Sequence, residues 1–169
     1  MLAIMLIVIG IFSRLIIHVP NFTPVIALSL FSGTYLNKKT AIIVPVGLMA
    51  LSDFIIGWHD TMLYTYGSII VITLIGFWIK KHKNVVSIAL TGISSSIFFF
   101  IVTNFGTWAT GELYPLTRDG LKQCFIMAIP FFSATLLSTL VYCLVFFGSY
   151  EWIAYRVRET KLARVLLTI

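Results

Sequence analysis

The sequence predicts an all-α polytopic membrane protein, a six-transmembrane-helix bundle. Three observations carry that reading. Of the 169 residues, 59% are apolar and 11% charged, and the mean hydropathy is +1.01; an ordinary soluble domain carries roughly 25% charged residues. The apolar residues run in stretches approaching the about 20 residues that cross a ~30 Å hydrocarbon core. The charges fall in short clusters between those stretches. A water-soluble enzyme and a disordered tail are excluded by this composition. So is a nucleic-acid binder, because the net charge of +6 does not gather into one basic face.

The first span covers 1–18. It opens Met1-Leu2-Ala3-Ile4 and lacks a basic leader and a small-residue cleavage site, so it reads as a retained span. Span 2 covers 24–36 and is short, about 20 Å of helix. Spans 3, 4 and 5 cover 41–58, 62–79 and 85–104. Span 6 covers 121–148 and is expected to bend where Pro130 removes a helix hydrogen bond. Cys124 and Cys143 share that helix, ~28 Å apart along its axis, too far for a disulfide. Residues 1–150 thus form one transmembrane domain. Residues 151–169 alternate basic and apolar positions, which suits a tail helix on an anionic inner leaflet or a continuation of span 6 with snorkelling cations.

Lys38 and Lys39, Lys80, Lys81 and Lys83, and Arg156, Arg158, Lys161 and Arg164 all fall on one side of a six-span weave. The positive-inside rule makes that side the cytoplasm. The expected location is therefore the cell inner (plasma) membrane, with both termini cytoplasmic.

Polar groups within a membrane are costly, about 2.5–3.5 kcal/mol for a central Asp or Arg on insertion scales, so their positions point to function. Here they collect at the outer ends of the spans. Arg14 and His18 share a face of span 1, and Asp53 lies about 7.5 Å below the outer end of span 3. Arg14 and Asp53 have similar depth and opposite sign, and suit either a ligand-facing pair or a structural ion pair. His59 and Asp60 follow in a short outer turn. Two prolines four apart, Pro20 and Pro24, break the helix between spans 1 and 2, leaving Asn21 and Thr23 in a structured loop at the outer mouth. The connection 103–122 carries Asn104, Trp108, Tyr114 and Arg118. With Gly106, Gly111 and Gly120 as hinges, it is expected to form a lid over a pocket. Catalytic signatures are missing and no metal or cofactor is expected, so Arg14, His18, Asn21, Thr23, Asp53, His59, Asn104, Trp108, Tyr114 and Arg118 make a binding site rather than a catalytic one.

The stretch 14–36, with Pro20-Asn21-Phe22-Thr23-Pro24, Ala27-Leu28 and Gly33, resembles a family of small bacterial membrane proteins described as transport proteins. That family is grouped with the substrate-binding S components of energy-coupling factor (ECF) transporters. The likeness extends through Leu51-Ser52-Asp53, 103–108, Tyr114-Pro115 and Ile129-Pro130-Phe131-Phe132. It implies an S-component-like fold with a loop-capped outer pocket for a vitamin or cofactor precursor. It also implies as partners a transmembrane coupling subunit and two cytoplasmic ATPases, the substrate being delivered by toppling of the binding protein. The Ala-x-x-x-Ala docking pattern of many S components is not present, since Ala3 is followed four positions on by Ile7. Close helix approach is expected instead at Ser29 with Gly33, or Gly92 with Ser96. The expected function is uptake of a small vitamin or cofactor precursor by a substrate-binding protein embedded in the lipid bilayer. The alternatives are a membrane scaffold without transport and an intramembrane enzyme using Asp53 with His18 or His59.

Overall fold

The computed structural model describes residues 1–16 and 19–167. Within them the chain is all-helical: α1 Leu2–Ile16, α2 Val25–Tyr35, α3 Lys38–Ile56, α4 Met62–Lys81, α5 Val85–Ala109, α6 Arg118–Val157 and α7 Leu162–Leu166. The first six correspond one to one to the six apolar segments of the sequence. Three of them, α4, α5 and α6, are long and apolar enough to cross a membrane, while α2 and the Leu2–Arg14 part of α1 are shorter apolar helices.

The architecture is organised around α2. Every one of its 11 residues is buried, and it packs against α1, α3, α4, α5 and α6, most extensively against α4. A helix of that length spans only about 16 Å, and its apolar residues face protein on all sides. The crossing with α4 explains why Gly33 and Gly76 stand where they do. A methyl group on Gly33 would strike the Thr73 carbonyl, and one on Gly76 would lie 2.5 Å from the Leu30 carbonyl and 2.9 Å from Gly33 Cα. Here two backbones touch, as small residues allow in membrane bundles. Of the two expected close approaches, Gly92 and Ser96 do face another helix: Ser96 Oγ donates to Thr139 Oγ1 at 3.0 Å, and Gly92 meets Thr139 and Cys143 of α6. Gly33 approaches α4, whereas Ser29 spends its hydroxyl on the Val25 carbonyl one turn back.

The distribution of polarity is compatible with a lipid surround. Hydroxyl residues such as Ser29, Ser32, Thr73, Ser95, Ser96 and Thr139 are buried, while Phe54, Ile55, Leu63, Val85, Leu90 and Leu144 are exposed. Most of the buried hydroxyls donate to a carbonyl of their own helix, as Ser29, Thr73 and Thr139 do. That satisfies them without an external partner. Aromatic packing fills the core between α2 and α6, with the Phe31 ring 5.3 Å from Phe147 and 5.8 Å from Tyr150.

The element ends depart from the expected ones for local reasons. The Asn37 side chain accepts the Thr40 amide at 3.1 Å and starts α3 at Lys38, so Lys38 and Lys39 lie in its first turn and not in a linker. Helix α5 runs on to Ala109 and α6 begins at Arg118, where the Thr117 hydroxyl accepts the Gly120 amide. The connection expected over 103–122 is thereby cut to 110–117, and the lid is not formed. Gly106 and Gly120 sit inside helices, packed on Tyr64 and the Pro115 carbonyl, leaving Gly111, at φ 72°, in the connection. Helix α6 stays helical through Pro130 and for 40 residues in all, about 60 Å. It continues without a break across residue 150, so 151–157 prolong the same helix past the end of span 6. The five-residue α7 then packs back on α6. Both cysteines lie on α6, free and buried.

Candidate functional site

Two polar clusters form, one at each end of the bundle. At the end holding the α3 N-terminus and the α4–α5 link, Glu151 Oε1 accepts Lys83 Nζ and Tyr35 Oη, each at 2.5 Å. The opposite end holds the α1 C-terminus, the 19–24 loop, the α3–α4 turn and the C-terminal half of α5. It encloses a cavity of about 320 Å³.

The cavity is built from helical faces. From α5 come Phe99, Phe100, Thr103, Asn104 and Thr107, and from α6 Ala128, Phe131, Phe132 and Thr135; both sets recur at the three- and four-residue spacings of one helix face. Arg14 of α1, Met49 of α3 and Thr65 of α4 line the remaining sides, with Asn21, Thr23, His59 and Thr61 from the connections. Asn21 reaches its place by a left-handed turn, φ 58°, a conformation that asparagine tolerates better than most residues. Phe22 anchors that loop against Tyr142, with ring centroids 5.9 Å apart. Gly57, at φ 120°, ends α3 and frees the chain to turn through His59, a backbone geometry that suits glycine.

Arg14 is the charged centre. Its Nη2 donates to Asp53 Oδ1 at 2.8 Å, while Nη1 donates to Ser52 Oγ and lies 2.9 Å from Met49 Sδ. Asp53 is only 1% exposed. Its second oxygen accepts Tyr66 Oη at 2.8 Å and lies 3.9 Å from His59 Nε2. Both carboxylate oxygens are thus occupied, as a buried anion requires. Arg14 faces the cavity and Asp53 stands behind it. His59 Nδ1 lies 3.0 Å from Thr61 Oγ1, which orients the ring.

Of the ten residues expected in the site, Arg14, Asn21, Thr23, His59 and Asn104 line the cavity. Asp53 supports Arg14 from outside it. His18 lies outside the described residues. Trp108, Tyr114 and Arg118 are not on the wall. Because α5 remains helical to Ala109, Trp108 sits one turn beyond Asn104, and its Nε1 donates to the Pro115 carbonyl at 3.1 Å, closing the α5–α6 connection. Tyr114 is half-buried in that connection and Arg118 is exposed in the first turn of α6. The sequence reading missed the threonines and phenylalanines of α5 and α6. Their signal was the recurrence of Phe99, Thr103 and Thr107 every four residues, which an ordinary packed face shares. Tyr66 carried no signal, since a tyrosine at that level reads as part of the interfacial aromatic belt.

Fold and site together define an all-helical protein with membrane-compatible helices and a polar cavity at one end of the bundle. The chain belongs to a family of unknown function, DUF6580, whose model matches residues 1–162. No curated protein and no solved structure matches it.

Proposed function

We propose that this protein is a membrane-embedded solute-binding protein for uptake of a small vitamin or cofactor precursor, related in design to the S components of ECF transporters. In this reading the six helices form a six-span weave. The termini and the Lys83–Glu151 cluster face the cytoplasm, and the Arg14 cavity opens to the exterior. The observation that carries it is the cavity itself. Five outer-end polar residues nominated from sequence alone converge on one hollow of about 320 Å³, within the size range of small-ligand pockets. A scaffold would have no need of such a void. Its polar groups would be engaged only in packing, as Asp53 is, whereas Asn21, Thr23 and Asn104 line open space.

The face of α1 bearing Ala3 and Ile7 is buried in the bundle, at 1% and 0% exposure. Docking of a coupling subunit through that face is therefore not favoured, and the proposal stands with or without an ATPase module. The test is direct. Protein purified from membranes is analysed for co-purifying small molecules and screened against a vitamin panel by thermal shift. Binding of a panel member that is abolished by Thr103→Trp, which fills the cavity, is the expected result. A bound vitamin indifferent to that substitution overturns the site, and the lack of any small-molecule ligand favours a scaffold.

A further inference from the structure

The cavity wall is divided by hydrogen-bonding sense. On α5 and α6 the side chains have already spent hydrogens on their own helices: Thr103 Oγ1 donates to the Phe99 carbonyl at 2.8 Å, Thr107 Oγ1 to Thr103 at 3.1 Å, Thr135 Oγ1 to Phe131 at 3.2 Å, and Asn104 Nδ2 to Phe100 at 2.7 Å. A hydroxyl whose proton is given away offers only lone pairs, and the Asn104 amide, with one N–H spent, keeps its oxygen and one N–H. That wall mainly accepts.

The Arg14 side does the reverse. A guanidinium has five N–H donors and no acceptor. Ser52, Met49 and Asp53 engage Nη1 and one hydrogen of Nη2, so Nε and the second Nη2 hydrogen have no partner among the described residues. Asp53, 1% exposed with both oxygens bonded, does not line the cavity, and neither does any other carboxylate. The α5 and α6 wall also carries the rings of Phe99, Phe100, Phe131 and Phe132, which suit a flat molecule.

We infer that the ligand is a planar neutral or anionic molecule, with an acceptor group, best a carboxylate, at one end and N–H donors at the other, and that cations are rejected. This rests on the uptake reading and narrows it to a substrate class. A molecule whose only charge is positive meets Arg14 and finds no anion to replace its lost hydration.

The test uses protein in detergent and three matched series of one- and two-ring probes, beginning with 4-aminobenzoate. The first series keeps both the amine and the carboxylate. The second has the amine dimethylated, and the third replaces the carboxylate with a trimethylammonium group. Affinities come from calorimetry. The first series is expected to bind, with about tenfold loss on dimethylation, the worth of one or two hydrogen bonds, and no binding by the third. The Thr103→Val and Thr107→Val variants, which keep shape and lose only the hydroxyl's bond to its own helix while the backbone helix bonds stay, are expected to shrink the dimethylation penalty. Equal binding by all three series, blocked by Thr103→Trp, overturns this inference and leaves the uptake reading standing. A preference for the third series overturns it too. No binding by any series overturns this inference alone, because the vitamin panel decides the uptake reading separately.

Discussion

Asp53 shows how one buried carboxylate can organise a site without touching its contents. It holds Arg14 at 2.8 Å and Tyr66 at 2.8 Å, fixing the guanidinium that faces the cavity. Removing one member of a buried pair leaves the other charge unpaired, at about 3–5 kcal/mol. Asp53→Asn is therefore expected to lower the thermal midpoint sharply in detergent. Tyr66→Phe, which removes a single hydrogen bond, is expected to cost about 1 kcal/mol. If Asp53→Asn keeps the wild-type midpoint and loses only ligand affinity, the carboxylate acts on the ligand and not on the fold. The sequence disclosed Arg14 and Asp53 as partners through their sign and depth. That Arg14 and not Asp53 would face the void was not legible, because five residues from α1, α3 and α4 (Arg14, Met49, Ser52, Asp53 and Tyr66) decide it together.

At the scale of elements, the α2–α4 crossing is the contact on which the bundle turns. Gly33→Ala and Gly76→Ala each force a methyl group into facing backbone, and overpacking of this kind costs about 1–3 kcal/mol. Both variants are expected to unfold at lower temperature than wild type. Gly47→Ala and Gly67→Ala serve as controls, since nothing lies within 4 Å of either position; there the lower entropy cost of ordering alanine is expected to add about 0.5–1 kcal/mol. Destabilisation by all four alike would show that the α2–α4 crossing is not what distinguishes Gly33 and Gly76. The helices themselves were legible as apolar runs between charged clusters. Their ends were less so. The apolar run places the end of span 5 at Asn104, yet Phe105 to Ala109 continue the helix, where Gly106 packs on Tyr64 of α4, a contact invisible along the chain.

For the molecule as a whole, the two polar clusters make separable predictions. Past the apolar part of α6, at the end of the bundle that holds the α4–α5 link, burial pushes the Glu151 carboxyl up, but its bonds from Lys83 and Tyr35, with the Lys83 and Arg158 charges, hold it below its ordinary value of 4.5. A carboxyl whose folded value is depressed adds stability above its unfolded value and loses it as pH falls through the folded one. Wild-type protein is thus expected to lose thermal stability on acidification below about pH 4.5, and Glu151→Gln to lose less over the same range. Parallel curves for the two proteins would remove Glu151 from the account. The six-span weave is tested by single cysteines in a background without Cys124 and Cys143. Lys39→Cys, Lys83→Cys and Lys161→Cys are expected to react with an impermeant maleimide only after the membrane is opened, and Asp60→Cys and Glu112→Cys in intact cells. Labelling of Lys83→Cys from outside would break the weave.

The amino-acid sequence by itself determined the all-helical class, the six apolar segments and the end of the molecule where polar groups collect. Each of these follows from the free energy of placing a residue in lipid or water, which is a property of the residue and its near neighbours. Only the tertiary structure decided that α2 would be enclosed on every side and that Trp108 would close a connection instead of lining a pocket. It also decided that threonines one turn apart would face the same void as Arg14. Those outcomes depend on which helix faces meet, and two faces with the same apolar spacing are indistinguishable until packing brings one against protein and leaves the other open.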